Sequence, residues 1–214
     1  MPVEYIYTDQ KFLLLPEKAL FWENEKALIL ADLHLGKASH FRKAGLAIPA
    51  QSSQKDYITL HSLVSQYQPD RVLILGDLFH SDFNNEWEIF GNFIQQHHGI
   101  QFELVVGNHD ILPLIKYQEI GLKIHGETLI YENLIFTHHP LQSVPENHLN
   151  FSGHIHPGVR LEGAARQSIT MPCFYKNENN FILPAFGSLT GLKILNKTPS
   201  TDIFGVSGSK IFKI

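Results

Sequence analysis

Short apolar runs punctuate this chain, and in its first half they alternate with longer stretches of a different period. Residues 12–15, 27–31, 71–75 and 102–106 are nearly unbroken runs rich in Leu, Ile and Val. Such runs, with no polar residue at alternate positions, predict strands covered on both faces. Between them, 50–67 and 85–97 carry apolar residues at helical spacing, as in Tyr57, Leu60, Leu63, Val64 and Tyr67. Strands alternating with helices predict parallel pairing through crossovers. The second half changes character. Candidate strands at 122–125, 128–131, 134–137, 151–155, 168–175, 181–185 and 190–195 are separated by short turns containing Gly, Asn or Pro. No long helical stretch is read there, so that half predicts a second, mostly antiparallel sheet, with 177–180 (Asn-Glu-Asn-Asn) as a hairpin tip. Two sheets packed face to face with helices outside is the simplest architecture. One domain spanning 1–214 is the expected organisation.

Composition narrows the setting. Cys173 is the single cysteine, which precludes an internal disulfide and suits a reducing compartment. No basic flank leads into an apolar core at the start, and no apolar run approaches the roughly 20 residues of a membrane span. The expectation is a cytoplasmic protein with no membrane role. The formal charge of −4 argues against a strongly basic nucleic-acid binder. Bound metal ions would change the local field, so charge alone does not exclude one. The chain has 13 histidines, and His61, His97, His98, His125 and His148 read as surface residues in polar surroundings.

The remaining histidines join carboxylates at the ends of the apolar runs. Asp32 and His34 follow 27–30, Asp77 follows 72–76, and Asn108, His109 and Asp110 follow 104–107. His138 follows 134–137, and His154 and His156 stand in Gly-His-Ile-His. The order is D-x-H, G-D, G-N-H-D, H, G-H-x-H. Ligand sites in such sheets lie beyond the carboxyl ends of strands, where all these blocks fall. On an extended segment, residues two apart project the same way, so Asp32 pairs with His34 and His154 with His156. Leu33 and Ile155 then turn inward. A carboxylate has two oxygens and can bridge two ions, which makes Asp77 the expected shared ligand. One divalent ion would take Asp32, His34, Asp77 and His156, the other Asp77, Asn108, His138 and His154. Two such ions outweigh two carboxylates, and the surplus positive charge suits an anionic phosphoester attacked by metal-bound hydroxide. Mixed nitrogen and oxygen ligands without thiolate suit manganese, iron or zinc. His109 is expected to donate to the leaving oxygen or phosphoryl group, with Asp110 accepting from its other ring nitrogen. His138 rather than His139 is the expected ligand, because it leaves the strand first; His139 and His80 are candidate substrate contacts. Lys37, His40, Arg42 and Lys43 form a small basic cluster after the first block, suited to flanking phosphates.

This ordered pattern resembles the calcineurin-like metallophosphoesterase superfamily. The resemblance implies an αββα, four-layer sandwich, with two mixed β-sheets face to face and helices on the outside. It aligns Asp32, His34, Asp77, Asn108, His138, His154 and His156 with the two-metal ligands and His109 with the catalytic histidine, and it favours manganese. One departure is His80, where many members carry an aspartate (G-D-x-x-D); that puts substrate preference, not metal binding, in question. The segments 30–45, 171–175 and 183–191 are similar to the bacterial ligase-associated DNA damage response phosphodiesterase, also described as an endonuclease. That resemblance implies a DNA-repair role beside a helicase, an ATP-dependent DNA ligase and an exonuclease-like protein, and the superfamily implies a possible homodimer. The competing readings are a phosphodiesterase for small nucleotides and a non-catalytic interaction scaffold. The scaffold predicts broken metal blocks, and here every block is intact.

Overall fold

The computed structural model describes residues 1–38, 51–80, 85–163 and 167–214. Two mixed sheets face each other. The first runs in the order β1 (Val3–Tyr7), β2 (Gln10–Leu15), β3 (Ala19–Trp22), β4 (Ala27–Leu30), β5 (Arg71–Leu75), β6 (Gln101–Val105), β7 (Lys123–Ile124). Strands β1 to β4 pair antiparallel through tight turns, and β4 to β7 pair parallel. Strands β4, β5 and β6 of this parallel half are the ones expected from strand–helix alternation; the run 122–125, expected in the second sheet, instead supplies β7, which pairs parallel with β6 in the first. Its crossovers carry α1 (Gln51–Tyr67) and α2 (Asn85–Gln96). Acidic Glu86 and Glu88 in the first turn of α2 match the positive end of its dipole. A short helix, α3 (Leu114–Glu119), was not expected from the pattern.

The second sheet holds β8 (Thr128–Tyr131), β9 (Leu134–Thr137), β10 (Leu149–Ser152), β11 (Pro157–Glu162), β12 (Ser168–Asn177), β13 (Asn180–Ile182), β14 (Lys193–Ile194), β15 (Thr201–Ser207) and β16 (Lys210–Lys213). Its order is β14-β11-β12-β13-β10-β9-β8, with β15 and β16 added beside β12. The expected antiparallel character holds for most pairs, but β9–β10, β10–β13 and β11–β14 are parallel. The expected hairpin tip is real: Asn177 pairs with Asn180, and Glu178 takes a left-handed φ of 50°.

Aromatic side chains fill the space between the sheets. Phe12 on β2 meets Phe151 on β10 at 4.8 Å between centroids, and Trp22 on β3 meets Tyr131 on β8 edge-on at 4.9 Å. The other face of the first sheet packs on the helices through Leu60, Leu63 and Val64 of α1 and Trp87, Phe90 and Phe93 of α2. Strands β4, β5 and β6 are therefore covered on both sides, as their unbroken apolar runs require. Burial at this density holds the ends of these strands in fixed relation, and the polar blocks begin at those ends. No helix among the described residues is long and apolar enough to cross a membrane.

Candidate metal centre

Past the ends of β4 and β5 the two loops run side by side. Asp32 N–H donates to Gly76 O, His34 N–H to Asp77 O and Leu35 N–H to Leu78 O. The backbone here is not extended. Asp32 (φ 54°), His34 (φ 47°), Asp77 (φ 52°), His154 (φ 67°) and His156 (φ 51°) are all left-handed. Asp and His tolerate this region better than most residues, yet each carries a cost on the order of 1 kcal/mol. The expected same-side projection of Asp32 with His34, and of His154 with His156, thus arises from paired left-handed residues and not from strand alternation. Leu33 does turn into the core, at 2 % exposure, and Ile155 is half-buried against an apolar cluster that includes Val159, Met171 and Ile203. Such strain gathers where surrounding structure over-determines it, typically at functional sites.

The blocks converge on one buried spot between the sheets. His156 Nε2 lies 3.3 Å from Asp32 Oδ1 and 3.4 Å from His34 Nε2, which is 3.5 Å from Asp77 Oδ2. On the other side, His138 Nε2 lies 3.3 Å from Asp77 Oδ1, 3.0 Å from Asn108 Oδ1 and 3.2 Å from His154 Nδ1. Asp77 therefore presents one oxygen to each group. Asp32 and Asp77 are almost wholly buried, and amides hold both: His154 N–H donates to both oxygens of Asp32, and His109 N–H donates to Asp77 Oδ1. Burial raises the Asp77 carboxyl, against the opposing pull of that amide.

The donor set fits cations. Desolvation pushes His138 down to about 4, so the ring is neutral, and its Nδ1 donates to Leu75 O at 2.9 Å. Nε2 then offers only a lone pair, and it faces the oxygens of Asn108 and Asp77. Acceptors crowded together repel unless a positive charge sits among them. Burial likewise holds His34 far below the usual imidazole range, in the neutral form that ligates metal. The groups Asp32–His34–His156, Asp32–Asp77–His138 and His138–His139–His154 each bring ligand atoms within 4.8 Å of one another. Space at this spot depends on glycines, Gly76 against His138 among them. A Cβ on Gly153 would lie 2.6 Å from Asp32 Oδ2, and one on Gly107 would run into Asp77.

A family model described as calcineurin-like phosphoesterase matches residues 26–200, most of the chain. The chain belongs to the calcineurin-like phosphoesterase family. It is a metal-dependent phosphoesterase, a hydrolase, and the buried His/Asp cluster is its candidate metal site. Among solved structures it is similar to Pseudomonas putida nuclease MPE, with a TM-score of 0.81, 22 % identity and 100 % of both chains covered. That likeness shows a shared fold. The phosphoesterase Yfce from E. coli matches at a TM-score of 0.47 and 13 % identity, over 88 % of this chain and 97 % of that one. No curated protein matches.

Other candidate residues of this phosphoesterase take up varied places. His109 is half-buried, its ring 5.2 Å from that of His34 and stacked at 5.6 Å on His80. His80 therefore stands beside the cluster, its ring in contact with those of both His34 and His109. Asp110 does not serve His109 as expected. Its Oδ2 accepts from Asp77 N–H at 2.9 Å and Gly107 N–H at 2.8 Å, and its Oδ1 from Leu78 N–H at 3.0 Å. The carboxylate points back into the fold and ties two loops together; burial pushes it up to about 7. His139 is exposed, with its ring 4.0 Å from that of His154. Lys37 is half-buried beside His34 in a small cavity bounded by Asp56 and Glu86. His40, Arg42 and Lys43 lie outside the described residues. Two of the histidines read as surface residues do structural work: His125 pairs with buried Glu103, and His97 packs at a tilt on Phe93, 4.4 Å between ring centroids.

Sequence reasoning missed Lys18. From the turn before β3, its Nζ donates to Ala185 O at 2.7 Å and Phe186 O at 2.6 Å. The same loop donates from Phe186 N–H to Ala31 O and from Gly187 N–H to Asp32 O. Lys18 thus braces the backbone on which Asp32 is mounted. Nothing in its neighbourhood in the sequence signals this, since the partners are main-chain carbonyls far along the chain.

Proposed function

We propose that this phosphoesterase is a dinuclear-metal phosphodiesterase acting on DNA, within one domain, in cytoplasmic DNA repair. The observation that carries the metal reading is Asp77, with Oδ2 toward His34 and Oδ1 toward His138. Asp32, His34, Asp77 and His156 would hold one ion, and Asp77, Asn108, His138 and His154 the other. Two divalent ions, manganese first with iron and zinc as alternatives, supply Lewis-acid charge and a nucleophile at neutral pH. The residues do the rest. Amides aimed at Asp32 and Asp77 keep these carboxylates in place, and the Leu75 carbonyl fixes the His138 ring so that Nε2 faces the centre. His109, half-buried at the edge of the cluster, delivers a proton to the leaving oxygen. His80, packed on its ring, and Lys37, beside His34, orient the substrate phosphate. The DNA reading is supported by the likeness to nuclease MPE and by the family-like segments 30–45, 171–175 and 183–191.

The net charge of −4 favours a second reading, a phosphodiesterase for small nucleotides. One panel separates the two. Manganese-loaded protein is offered single-stranded DNA, duplex DNA, cyclic nucleotides and bis-p-nitrophenyl phosphate. The DNA reading expects strand cleavage that weakens as salt rises. Cyclic nucleotide turnover with intact DNA would transfer the assignment to small substrates, and silence on every diester with every divalent ion would end both.

A further inference from the structure

A cleft of about 280 Å³ opens directly beside the metal cluster, on the side of Asn108 and His138. It is walled by the loop after β6, the start of β8 and the end of β9. Its size is near the lower end of small-ligand pockets, about 300 Å³. Its walls contain no lysine or arginine, and its one carboxylate is Glu127. A phosphate would meet repulsion there, whereas a neutral group rich in donors would be welcomed. Glu127 is exposed, and the backbone beside it is fixed: Val106 N–H donates to Gly126 O at 2.6 Å, which fastens its turn to the loop bearing Asn108. Across the cleft, the exposed ring of His139 offers a flat surface, and Val106 and Leu141 offer carbon.

Resting on the phosphodiesterase reading above, the geometry points to a nucleobase pocket for the residue attached to the scissile phosphate, with a preference for guanine set by Glu127. A phosphate held at the cluster places its own nucleoside at the mouth of this cleft. An imidazole face stacks on a base of any kind. A carboxylate discriminates among bases. Guanine presents two adjacent donors, N1–H and the N2 amino group, and pairs with both oxygens. Thymine presents N3–H flanked by two carbonyls, which repel the carboxylate. Cytosine and adenine each offer an amino group beside a ring acceptor and fall between.

The test uses competition, so it does not depend on DNA being the substrate. Manganese-loaded protein hydrolyses bis-p-nitrophenyl phosphate in the presence of dGMP, dIMP or dTMP. The expected inhibition constant for dGMP is lower than for dTMP by about fivefold or more, with dIMP between because it lacks the N2 amino group. Glu127→Gln offers one acceptor and one donor; it should draw dGMP and dTMP to within about twofold while turnover of the baseless diester stays unchanged. Equal inhibition by all three nucleotides in the unaltered protein would overturn the pocket and leave the phosphodiesterase reading standing. The same holds if the dGMP preference survives in Glu127→Gln and Glu127→Ala. Failure of the unaltered protein to hydrolyse the diester at all would overturn the phosphodiesterase reading and the pocket with it.

Discussion

The two sheets contribute unequal chemistry to one site. The first sheet brings both carboxylates and the amide, as Asp32, Asp77 and Asn108, together with His34. The second brings imidazoles only, as His138, His154 and His156. The carboxylates emerge from β4 and β5, strands covered on both faces, and are themselves 0 % and 2 % exposed. His154 and His156 are half-buried in a turn after β10. Charge is thus mounted on strands covered on both faces, and imidazoles close over it from the other sheet. The seam is cross-braced: Leu75 of the first sheet orients His138 of the second, and the His154 amide holds Asp32 of the first. The lesson is that the two sheets control different quantities, the first the charge of the site and the second its closure.

The sharpest way to break that division is to remove one ligand from each side. Asp77→Asn takes away a charge that faces both groups. Partners one step removed from a metal typically change affinity or activity by about 10–100-fold, so loss of the proposed shared ligand should lower manganese-dependent diester hydrolysis by at least about 100-fold. Metal content by mass spectrometry should fall for both ions. His154→Ala removes an imidazole from the His138 side of the cluster and should leave one ion in place. Equal loss of metal in the two variants would show that the sheets do not divide the work this way.

His109→Ala comes next in size. His109 belongs to the first sheet's loops but contributes only its amide to the cluster, through Asp77 Oδ1. An alanine keeps that amide. Turnover should fall by more than about tenfold, the low side of a general acid's contribution, with metal content unchanged. Loss of metal would place its ring among the ligands.

How far the sequence could be read also differs between the sheets. The runs 27–31, 71–75 and 102–106 announce β4, β5 and β6 because strands covered on both faces must be apolar throughout. Strands β1 and β3 went unread. The turns around them use Thr8, Lys18 and Lys26 in left-handed conformations, where the recognisable signal would be Gly or Asn. Strands β11 and β16 were missed because they lack an apolar run and are half-buried or exposed over much of their length, and β15, though mostly buried, pairs with β12 far back in the chain, as between Cys173 and Gly205. The metal blocks were legible because each begins at a strand end, and strand ends gather in space. The role of Asp110 was not legible. Adjacency to His109 suggested a side-chain partner, whereas the left-handed turns leave three amides pointing inward for its oxygens to accept.

Asp110→Asn tests that role within the first sheet. An asparagine oxygen can replace Oδ2, but its amino group would then face the Leu78 N–H, donor against donor. One buried amide left unsatisfied costs about 1–3 kcal/mol, measurable as a lower urea midpoint with an unchanged slope. Activity should fall less than in His109→Ala. A fall at least as large, with stability intact, would mean that Asp110 acts on the chemistry directly.

Lys18→Met should have the smallest effect, and it probes the bracing behind Asp32 rather than the site itself. Lys18 is half-buried, and desolvation pushes its pKa down to about 8, so its charge is held at a cost. Its bonds to the Ala185 and Phe186 carbonyls offset that cost. Methionine keeps the packing, removes the charge and leaves the two carbonyls without their donor, so the terms oppose each other. A residual loss of about 1 kcal/mol at the transition state corresponds to roughly fivefold in turnover, an upper bound here. The sign with pH follows from the lowered pKa. Between about 8 and the unfolded value of 10.5 the unfolded chain binds more protons at this group, so Lys18 adds stability as pH rises through that window. The methionine variant lacks this term. Its stability relative to the unaltered protein should therefore decline from pH 8 to pH 10, and identical slopes would show that the lysine is not held as a desolvated cation.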